Sequence, residues 1–239
     1  MKGVILAGGT GTRLRPLTNV INKHLLPVYN KPLIYYPVHA LVEAGIKDIL
    51  IISGTEHYQQ IRKLLNLKKD KKAKFTYAIQ NEPRGIAHGL GLAESFVNND
   101  LVALILGDNI YEESMKRPVE EFKEQKRGAK IIIKKVPDPQ RFGVIEFENR
   151  KIKKIEEKPK RPKTNYIVTG FYLYDSNVFD IIKTLKPSKR NEYEITDVNN
   201  AYLNRGELNY YITNKEWIDA GTFDSLLKAS NFIKQKETV

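Results

Sequence analysis

The first half of the chain alternates short apolar, β-branched runs with longer stretches that have helical character. The runs are GVILA (3–7), DILIIS (48–53), FTYAI (75–79) and LVALIL (101–106). Helices are expected between them, over 33–44, 57–66, 86–97 and 112–126. Strands that are followed by crossover helices form parallel sheets, so this alternation predicts an α/β fold with helices on the faces of a mostly parallel sheet.

The pattern changes after residue 128, where strand-like runs follow one another with little helix between them. These runs span 129–136, 142–148, 151–157 and 166–175, and they predict an antiparallel or mixed portion that carries a substrate. Two helices over 176–185 and 194–205, a strand over 208–213 and a closing helix from Thr222 complete the prediction. A length of 239 residues fits one large domain or two small ones.

Composition excludes several classes of protein. The chain has no cysteine, which rules out disulfides, thiol catalysis and Cys-ligated zinc, and its four histidines are scattered. No stretch approaches a membrane span, so a cytoplasmic protein with no membrane partner is expected. The net charge of +12 suits an anionic partner, but KKDKK (68–72) and the basic run at 150–163 are expected to be solvated faces. No nucleic-acid-binding motif accompanies them, so no nucleic acid is expected as a partner.

A glycine-rich loop follows the first apolar run, in GVILAGGTGTRLRPLT (3–18). It lacks the Lys-Ser/Thr pair of a phosphate-binding P-loop and the third glycine of a dinucleotide fingerprint. Gly8, Gly9 and Gly11 would let backbone N–H groups approach phosphate oxygens, while Arg13 adds a fork of donors and Lys23 could reach the same phosphates. The loop therefore predicts a polyphosphate site, with a tight strand-to-helix turn as the alternative.

Two aspartates follow apolar strands at positions that suit a metal. Asp108 comes directly after LVALIL, at the sheet edge that would carry the glycine loop, and Asp219 lies in WIDAGT (217–222). One or two carboxylates and substrate phosphates form a common Mg²⁺ site, so both residues are metal candidates. Each also has a structural alternative: Asp108 as a turn or cap residue, and Asp219 as an acidic residue that favours the start of the closing helix.

Glu157 and Lys158 end a strand-like run just before Pro159. A carboxylate suits sugar hydroxyls and an ammonium suits a phosphate. Neighbouring residues of a regular strand point to opposite faces, however, so both side chains could enter one pocket only if a bulge or a turn at Pro159 intervened. A surface charge pair is the alternative.

Together these motifs resemble, in order and over almost the whole chain, the sugar-phosphate nucleotidyltransferases, most closely the short members that use dTTP and glucose 1-phosphate. The motifs are LAGGTGTRLRPLT, NKHLLPV, LILGDN, FGVIEF, EEKP, VTGFYLYD, EITDVN and WIDAGT. The resemblance implies a Rossmann-like core at about 1–128 and an inserted antiparallel sugar-binding portion at about 129–239, within one nucleotidyltransferase domain. It also implies transfer of a nucleotidyl group from dTTP to glucose 1-phosphate, with Mg²⁺ as cofactor, release of pyrophosphate and a homo-oligomeric assembly.

Residue roles follow from the same resemblance. Arg13, Lys23, Asp108 and Lys158 match the catalytic positions, and Asp108 and Asp219 match the metal ligands. The nucleotide would contact Gly8, Gly9, Gly11, Arg13, Gln80, Gly85 and Asp108, with Gln80 and Gly85 reading the pyrimidine edge. The sugar phosphate would contact Asn109, Gly143, Glu157, Lys158, Val168, Tyr172, Arg190 and Trp217.

Four residues depart from the commonest pattern of the family: His24, His88, Phe142 and Ala220. They bear on nucleotide selectivity, so UTP use, or joint use of dTTP and UTP, remains an alternative. A catalytically inactive nucleotide-sugar-binding subunit is a second alternative, although the catalytic residue types are all present. The chain also ends soon after its closing helix, and the sequence therefore predicts a form without the regulatory extension of longer members.

Overall fold

The computed structural model describes residues 1–67 and 73–238, so the basic run KKDKK (68–72) lies outside the described residues. The chain divides into two compact units, each assembled from separate segments. The glycine-loop unit comprises Gly3–Pro83, Ile105–Lys116 and Lys215–Val239, and the antiparallel unit comprises Met1–Lys2, Arg84–Leu104 and Arg117–Asn214. These units alternate along the chain and do not divide it near residue 128. That the chain acts as one nucleotidyltransferase domain stays a prediction.

The fold belongs to the α/β class, with helices flanking a mixed, mostly parallel sheet. The strands are β1 (Lys2–Ala7), β2 (Pro27–Val28), β3 (Lys31–Pro32), β4 (Asp48–Ser53), β5 (Lys74–Ile79), β6 (Val102–Leu106), β7 (Asn109–Tyr111), β8 (Ala129–Lys135), β9 (Gly143–Glu148), β10 (Lys151–Glu157), β11 (Tyr166–Tyr174), β12 (Leu208–Ile212) and β13 (Trp217–Asp219). The α-helices are α1 (Tyr35–Glu43), α2 (Tyr58–Leu67), α3 (Ile86–Gly91), α4 (Glu94–Val97), α5 (Lys116–Gln125), α6 (Val178–Thr184), α7 (Ile195–Asn204) and α8 (Phe223–Glu237).

In the glycine-loop unit, β1, β4 and β5 pair in parallel, with β4 between the other two. The residues of β1 and β4 are almost all buried, which explains why these strands read as continuous apolar runs rather than as alternating ones. Gly8, Gly54 and Gln80 directly follow the three strands. Because parallel strands end at the same edge of a sheet, their following loops gather there.

A short antiparallel ribbon of β7 and β13 lies in the same unit, and α8 follows it directly. Thr222 caps α8 reciprocally with Ser225, since each side chain bonds the other residue's backbone N–H. Ile110 and Ile218 of the ribbon belong to one buried apolar cluster with Ala229 of α8. The start of the helix is therefore fixed by an N-cap residue that lies three residues after Asp219.

The antiparallel unit is built on β8, β9, β10 and β11, which pair with one another in antiparallel fashion, while β12 runs parallel to β8. Helix α7 is attached to β10 by Asn200, whose side chain donates to Ile155 O at 2.9 Å and accepts from Ile155 N at 3.2 Å. The first residues of β8 and the last residues of β11 meet at Asp175, which accepts hydrogen bonds from Gly128 N and from the Tyr202 hydroxyl, each at 2.6 Å.

Most predicted elements are confirmed within a few residues at each end, including the mixed character after residue 128. One expected helix over 86–97 is instead two, α3 and α4, which are separated at Leu92 and Ala93. Gly89 and Gly91 lower the helix propensity of this segment, which accounts for the interruption. The two-residue and three-residue strands β2, β3, β7 and β13 were not predicted, because such short segments have no readable period.

The basic run at 150–163 is a solvated face, as predicted. Its lysines are exposed on β10 and the following turn, and several pair with nearby glutamates, among them Lys153 with Glu148, Lys154 with Glu156 and Lys163 with Glu146. Within residues 1–67 and 73–238, no helix is both long and apolar enough to cross a membrane.

Two left-handed glycines of the antiparallel unit give a matched stability prediction. Gly128 has φ +78° and Gly206 has φ +71°, but a Cβ would collide with Glu207 O at Gly128, whereas it would meet no described atom within 4 Å at Gly206. Gly206→Ala should cost about 1 kcal/mol of unfolding free energy from backbone strain. Gly128→Ala should cost about 1–3 kcal/mol more, from the added clash. Urea denaturation followed by circular dichroism measures both, and equal costs would contradict the assigned clash.

Candidate active site

The glycine-loop unit contains a cavity of about 650 Å³ at the edge where β1, β4 and β5 end. Its lining includes Gly8 and Gly9 after β1, Gly54 after β4 and Gln80 after β5. Gln80 is buried, and a Cβ on Gly8 would lie 3.3 Å from its Oε1 atom. The structure therefore brings the predicted phosphate loop and the predicted base-reading glutamine to one cavity.

The glycine loop has a defined backbone. Gly9 and Gly11 both have positive φ, at 95° and 59°, which non-glycine residues rarely adopt. The Thr18 hydroxyl donates to Gly11 O at 2.7 Å, and Leu14 N donates to the same oxygen at 2.8 Å. Arg13 follows in a single 3-10 turn, Thr12–Leu14, and is exposed. Hydrogen bonds from Thr18 and Leu14 thus hold the loop at Gly11, while the Arg13 side chain stays accessible to solvent.

An ion pair joins Lys23 to Asp108, with Nζ 2.5 Å from Oδ2. The other carboxylate oxygen accepts from Asn109 Nδ2 at 3.0 Å. Burial by itself raises the pKa of the Asp108 carboxyl, but the Lys23 ammonium and these hydrogen bonds hold that pKa well below its ordinary value. Asp108 is therefore ionised at neutral pH and keeps a cation beside it.

His24 and Asn22 hold the Lys23 segment in place. Asn22 Oδ1 accepts from His24 N at 2.8 Å and from the ring Nδ1 at 2.6 Å, and Asn22 Nδ2 donates to Ala7 O at 3.4 Å. Burial of the imidazole, together with the nearby Lys23 charge, lowers the pKa of His24 to about 3, so its ring is neutral. The ring packs against Gly107, where a Cβ would lie 2.6 Å from its Cδ2 atom.

Asp219 lies at the end of the β7–β13 ribbon that adjoins Asp108. Asp219 is opposite Asn109 in the ribbon, and Ala220 N donates to Asp108 O at 2.9 Å. A Cβ on Gly221 would lie 2.7 Å from Arg13 Nη2 and 2.9 Å from Asp219 Oδ1, so the guanidinium and the carboxylate lie side by side over this glycine. Trp217 Nε1 donates to Asn109 Oδ1 at 2.7 Å, which fixes the first residue of β7.

Glu157 and Lys158 lie together in the antiparallel unit. Lys158 has φ +44° and its N–H donates to Phe142 O, so the chain turns at Lys158 itself and the strict alternation of the strand ends there. Lys158 Nζ is 3.6 Å from Glu157 Oε1. The two side chains consequently point to the same side, as a shared pocket requires. The turn begins one residue before the proline that the sequence suggested.

Thr196 and Gly143 complete the surroundings of Glu157. The Thr196 hydroxyl donates to Glu157 Oε2 at 2.5 Å, and a Cβ on Gly143 would lie 3.1 Å from that hydroxyl. Arg190 contacts the same carboxylate at 3.7 Å and is paired more closely with Glu194 at 2.8 Å and Glu192 at 2.9 Å. Arg190 is thus surrounded by three carboxylates, one of which is Glu157, the residue predicted to contact the sugar.

The remaining predicted residues are placed as follows. Val168 and Tyr172 lie on β11 and are buried. Gly85 precedes α3 with φ +100° and packs against the backbone of Tyr193, where a Cβ would lie 2.5 Å from the carbonyl oxygen. Each unit therefore gathers its own set of predicted residues. The glycine-loop unit holds Gly8, Gly9, Gly11, Arg13, Lys23, Gln80, Asp108, Asn109, Trp217 and Asp219, and the antiparallel unit holds Gly85, Gly143, Glu157, Lys158, Val168, Tyr172 and Arg190.

Comparisons with known proteins identify this arrangement. The sequence profile described as nucleotidyl transferase matches residues 2–236. The chain is 47% identical over 241 residues to a glucose-1-phosphate thymidylyltransferase of Mycolicibacterium smegmatis, covering 99% of this chain and 83% of the relative. It is 44% identical over 243 residues to the enzyme of that name from Neisseria meningitidis, covering 100% and 84%. The chain belongs to the nucleotidyl transferase family.

Solved structures agree with this assignment. A Bacillus anthracis protein assigned as glucose-1-phosphate thymidylyltransferase and crystallised with sucrose superposes with a TM-score of 0.93 at 53% identity, covering 97% of this chain and 94% of that chain. A UDP-glucose pyrophosphorylase in complex with UDP-glucose superposes with a TM-score of 0.88 at 27% identity and 98% coverage of both chains. The nucleotidyl transferase fold therefore extends over nearly the whole chain.

The donor set of this family member suits a hard divalent cation. Asp108 and Asp219 offer carboxylates at the same end of the β7–β13 ribbon. Mg²⁺ commonly takes one or two carboxylates and completes its shell with substrate phosphates and water. No cluster of three or more His, Asp or Glu side chains that could hold a metal occurs in the described part of the chain. A cation shared with a phosphate ligand thus fits these residues better than a site made by protein alone.

Sequence reasoning missed several residues that surround the predicted site residues. Thr196, Glu194 and Tyr193 contact Glu157, Arg190 and Gly85, and Asn22 holds His24 beside Lys23, but none of the four was singled out beforehand. The strings NKHLLPV and EITDVN, which carried the resemblance, contain three of the four, and Tyr193 directly precedes the second string. The signal that could have found these residues was their position in, or directly next to, a motif that contains a predicted site residue or carries the resemblance.

The buried ion pair gives a stability prediction with an exposed pair as its control. The Lys23 and Asp108 side chains are 16% and 10% exposed, whereas those of Lys31 and Glu237 are 47% and 33% exposed. Lys23→Met leaves a buried carboxylate without its cation and should cost about 3 kcal/mol or more of unfolding free energy. Lys31→Met should cost about 1 kcal/mol or less. Urea denaturation at neutral pH measures both, and a small loss for Lys23→Met would show that solvent already stabilises Asp108.

Proposed function

We propose that this chain transfers a thymidylyl group from dTTP to glucose 1-phosphate, giving dTDP-glucose and pyrophosphate. One observation carries the proposal: the cavity after β1 and β5 adjoins a buried Lys23–Asp108 pair in a chain that is 40–47% identical to glucose-1-phosphate thymidylyltransferases. The cavity supplies room for a nucleotide, and the pair supplies charges suited to its phosphates. The identity supplies the substrate class.

The nucleotide is assigned to the glycine-loop unit. The backbone N–H groups of Gly8, Gly9 and Gly11 would bind the triphosphate, since no side chain on these residues obstructs their approach. Arg13 would stabilise the leaving pyrophosphate, for which its exposed guanidinium is suitable. Gln80 would read the pyrimidine edge from its buried position at the end of β5, and Gly85 of the antiparallel unit is assigned to the same task.

The sugar phosphate is assigned chiefly to the antiparallel unit. Glu157 would accept hydrogen bonds from sugar hydroxyls, and Lys158 beside it would hold the phosphate. The separation of 3.6 Å between these side chains supports a ligand that presents hydroxyls and a phosphate close together. Gly143, Val168, Tyr172 and Arg190 are assigned to the sugar side in this unit, and Asn109 and Trp217 of the glycine-loop unit are assigned to the sugar as well.

Asp108 and Asp219 are assigned to a divalent cation, with Mg²⁺ proposed on the chemistry of the donor set. When bound, the cation would neutralise phosphate charge and lower the repulsion between the two anionic substrates. Lys23 stays next to Asp108 in this assignment and adds a second positive charge where phosphates bind. The protein's own contribution is then positioning and electrostatics, and no covalent intermediate on the enzyme is required.

The chemical step is an in-line displacement at the α-phosphorus. An oxygen of the sugar phosphate forms the new bond while the bond between the α-phosphorus and the bridging oxygen of pyrophosphate breaks. Negative charge grows on the pyrophosphate as that bond breaks. Arg13 and Lys23 are assigned to stabilise this growing charge, whereas Lys158 is assigned to a phosphate charge that is present before the reaction.

Thymine and uracil differ by one methyl group, so UTP is the nearest alternative donor. A single methyl in an apolar pocket is worth about 1–3 kcal/mol, which permits partial use of both nucleotides. The relatives at 40–47% identity are thymidylyltransferases by name, while the UDP-glucose pyrophosphorylase is 27% identical. This difference favours dTTP. We also propose a cytoplasmic homo-oligomer, whose mass light scattering would report.

A substrate matrix tests the proposed function. Purified protein with Mg²⁺ is mixed with each of dTTP, UTP, ATP, CTP and GTP and with several sugar 1-phosphates, and pyrophosphate is measured. Release should require a pyrimidine nucleotide together with glucose 1-phosphate, with dTTP preferred. No turnover with any pair would favour the inactive nucleotide-sugar-binding subunit, and a clear preference for UTP would favour the uridylyltransferase.

The carboxylate pair is tested by amide substitution. Asp108→Asn and Asp219→Asn should each remove most pyrophosphate release, because amides are poorer Mg²⁺ ligands than carboxylates. Asp224→Asn is the matched control, since Asp224 is an exposed acidic residue in the first turn of α8. Circular dichroism confirms folding. Near-normal turnover of either site variant across a Mg²⁺ titration would remove that residue from the metal assignment.

Arg13 and Lys158 should differ in kinetics because they are assigned to opposite ends of the reaction. Arg13→Ala should lower kcat about 10²–10³-fold, by analogy with the loss of one oxyanion donor. Lys158→Ala should raise the KM for glucose 1-phosphate as well as lower kcat, with a much smaller change in the KM for dTTP. If Lys158→Ala raised only the nucleotide KM, the two roles would have to be exchanged or abandoned.

A further inference from the structure

Tyr193 links two segments that the proposed function assigns to different substrates. It lies between α6 and α7 in the antiparallel unit, three residues after Arg190 and one before Glu194. Tyr193 contacts the segment that begins at Arg84 and includes Gly85 and His88. Neither the sequence motifs nor the proposed reaction gives Tyr193 a role.

The backbone of Tyr193 forms a bridge around Gly85. Tyr193 N donates to Arg84 O at 2.8 Å, and Ala87 N donates to Tyr193 O at 3.2 Å. A Cβ on Gly85 would lie 2.5 Å from that carbonyl oxygen and 2.9 Å from the Tyr193 nitrogen. Gly85 must therefore lack a side chain for the two segments to approach this closely, whatever its part in reading a base.

The Tyr193 side chain strengthens this bridge. The Arg84 guanidinium carbon lies 5.1 Å from the centre of the tyrosine ring, and Arg84 Nη2 donates to the hydroxyl at 3.3 Å. The His88 ring stacks with the tyrosine, with centroids 6.1 Å apart and planes at 25°. Residues on both sides of Gly85 in sequence thus pack on one aromatic ring.

The segment that carries Tyr193 is itself held to Arg190. Ser188 N donates to Glu192 O at 2.8 Å, which closes a tight turn around Arg190. The Arg190 guanidinium pairs with Glu192 and Glu194, the residues on either side of Tyr193. A displacement of Tyr193 would therefore shift both carboxylates that hold Arg190.

We propose that Tyr193 is a positioning residue that couples pyrimidine recognition at Gly85 to sugar-phosphate recognition at Arg190. This inference rests on the proposed function, which assigns those two residues to the two substrates. Binding of either ligand fixes one side of the Tyr193 bridge and so reduces the ordering cost of binding the other. Coupling of this kind is reciprocal, because each ligand must change the affinity of the other by the same factor.

Calorimetry with a dTTP analogue whose α,β bridge is a methylene measures the coupling, since this analogue binds without reacting. Its Kd is determined with and without saturating glucose 1-phosphate for the unmodified protein, Tyr193→Ala and Tyr193→Phe. We expect glucose 1-phosphate to tighten analogue binding about fivefold or more in the unmodified protein. The factor should fall to about one in Tyr193→Ala and to an intermediate value in Tyr193→Phe, which keeps the ring but loses the hydroxyl bond.

Tyr211→Ala is the matched control, because Arg117 lies over the Tyr211 ring at 5.8 Å in the same unit, and this variant should keep the full coupling factor. Arg84→Gln removes the cation from the other side of the bridge and should lower the factor even if Tyr193→Ala does not fold. Tight binding of both ligands with an unchanged factor in Tyr193→Ala and Arg84→Gln would overturn the inference, as would a factor of one in the unmodified protein. Failure of the unmodified protein to bind either ligand would instead overturn the proposed function and this inference with it.

Discussion

The buried Lys23–Asp108 pair is the interaction on which the glycine-loop unit's site depends. A carboxylate this deeply buried stays ionised only beside a cation, and Lys23 reaches it because Asn22 and His24 fix the segment from both sides. His24 needs space for its ring, and Gly107 provides that space by having no Cβ. The end of β6, the Lys23 segment and the end of β1 therefore form one structure, and a change in any of them would move the two charges apart.

Lys158 of the antiparallel unit is held less firmly than Lys23 of the glycine-loop unit. The Lys158 side chain is 44% exposed, and its distance of 3.6 Å from Glu157 is longer than a hydrogen bond. Exposed pairs contribute little free energy, so Lys158 can exchange Glu157 for a phosphate at small cost. Lys23 cannot leave its partner in the same way, because the buried Asp108 carboxylate would then lack a neighbouring positive charge. A fixed cation suits stabilisation of a transition state, whereas an exchangeable one suits capture of an incoming substrate.

Sequence reasoning recovered the elements whose burial produces a period and failed where the structure depends on backbone angles or long-range pairing. The runs at β1, β4 and β6 were readable because nearly every residue is buried. The β7–β13 ribbon was not, since two three-residue strands far apart in sequence show no pattern until they pair. The placement of Glu157 beside Lys158 depended on a left-handed backbone at a lysine, which no sequence rule predicts.

Glycines illustrate how far a motif can be interpreted without the structure. Gly85, Gly107 and Gly221 stand in motifs that suggest ligand contacts, yet a Cβ on each would collide first with the protein itself: with Tyr193, His24 and Arg13, respectively. Loss of activity on substituting them would therefore not locate a ligand. Gly9 differs, because a Cβ there would meet no described atom within 4 Å although the residue lines the cavity. Of the three loop glycines, Gly9 alone has a Cβ position that no described atom of the protein approaches within 4 Å, and this open space beside the backbone is compatible with the proposed phosphate contact.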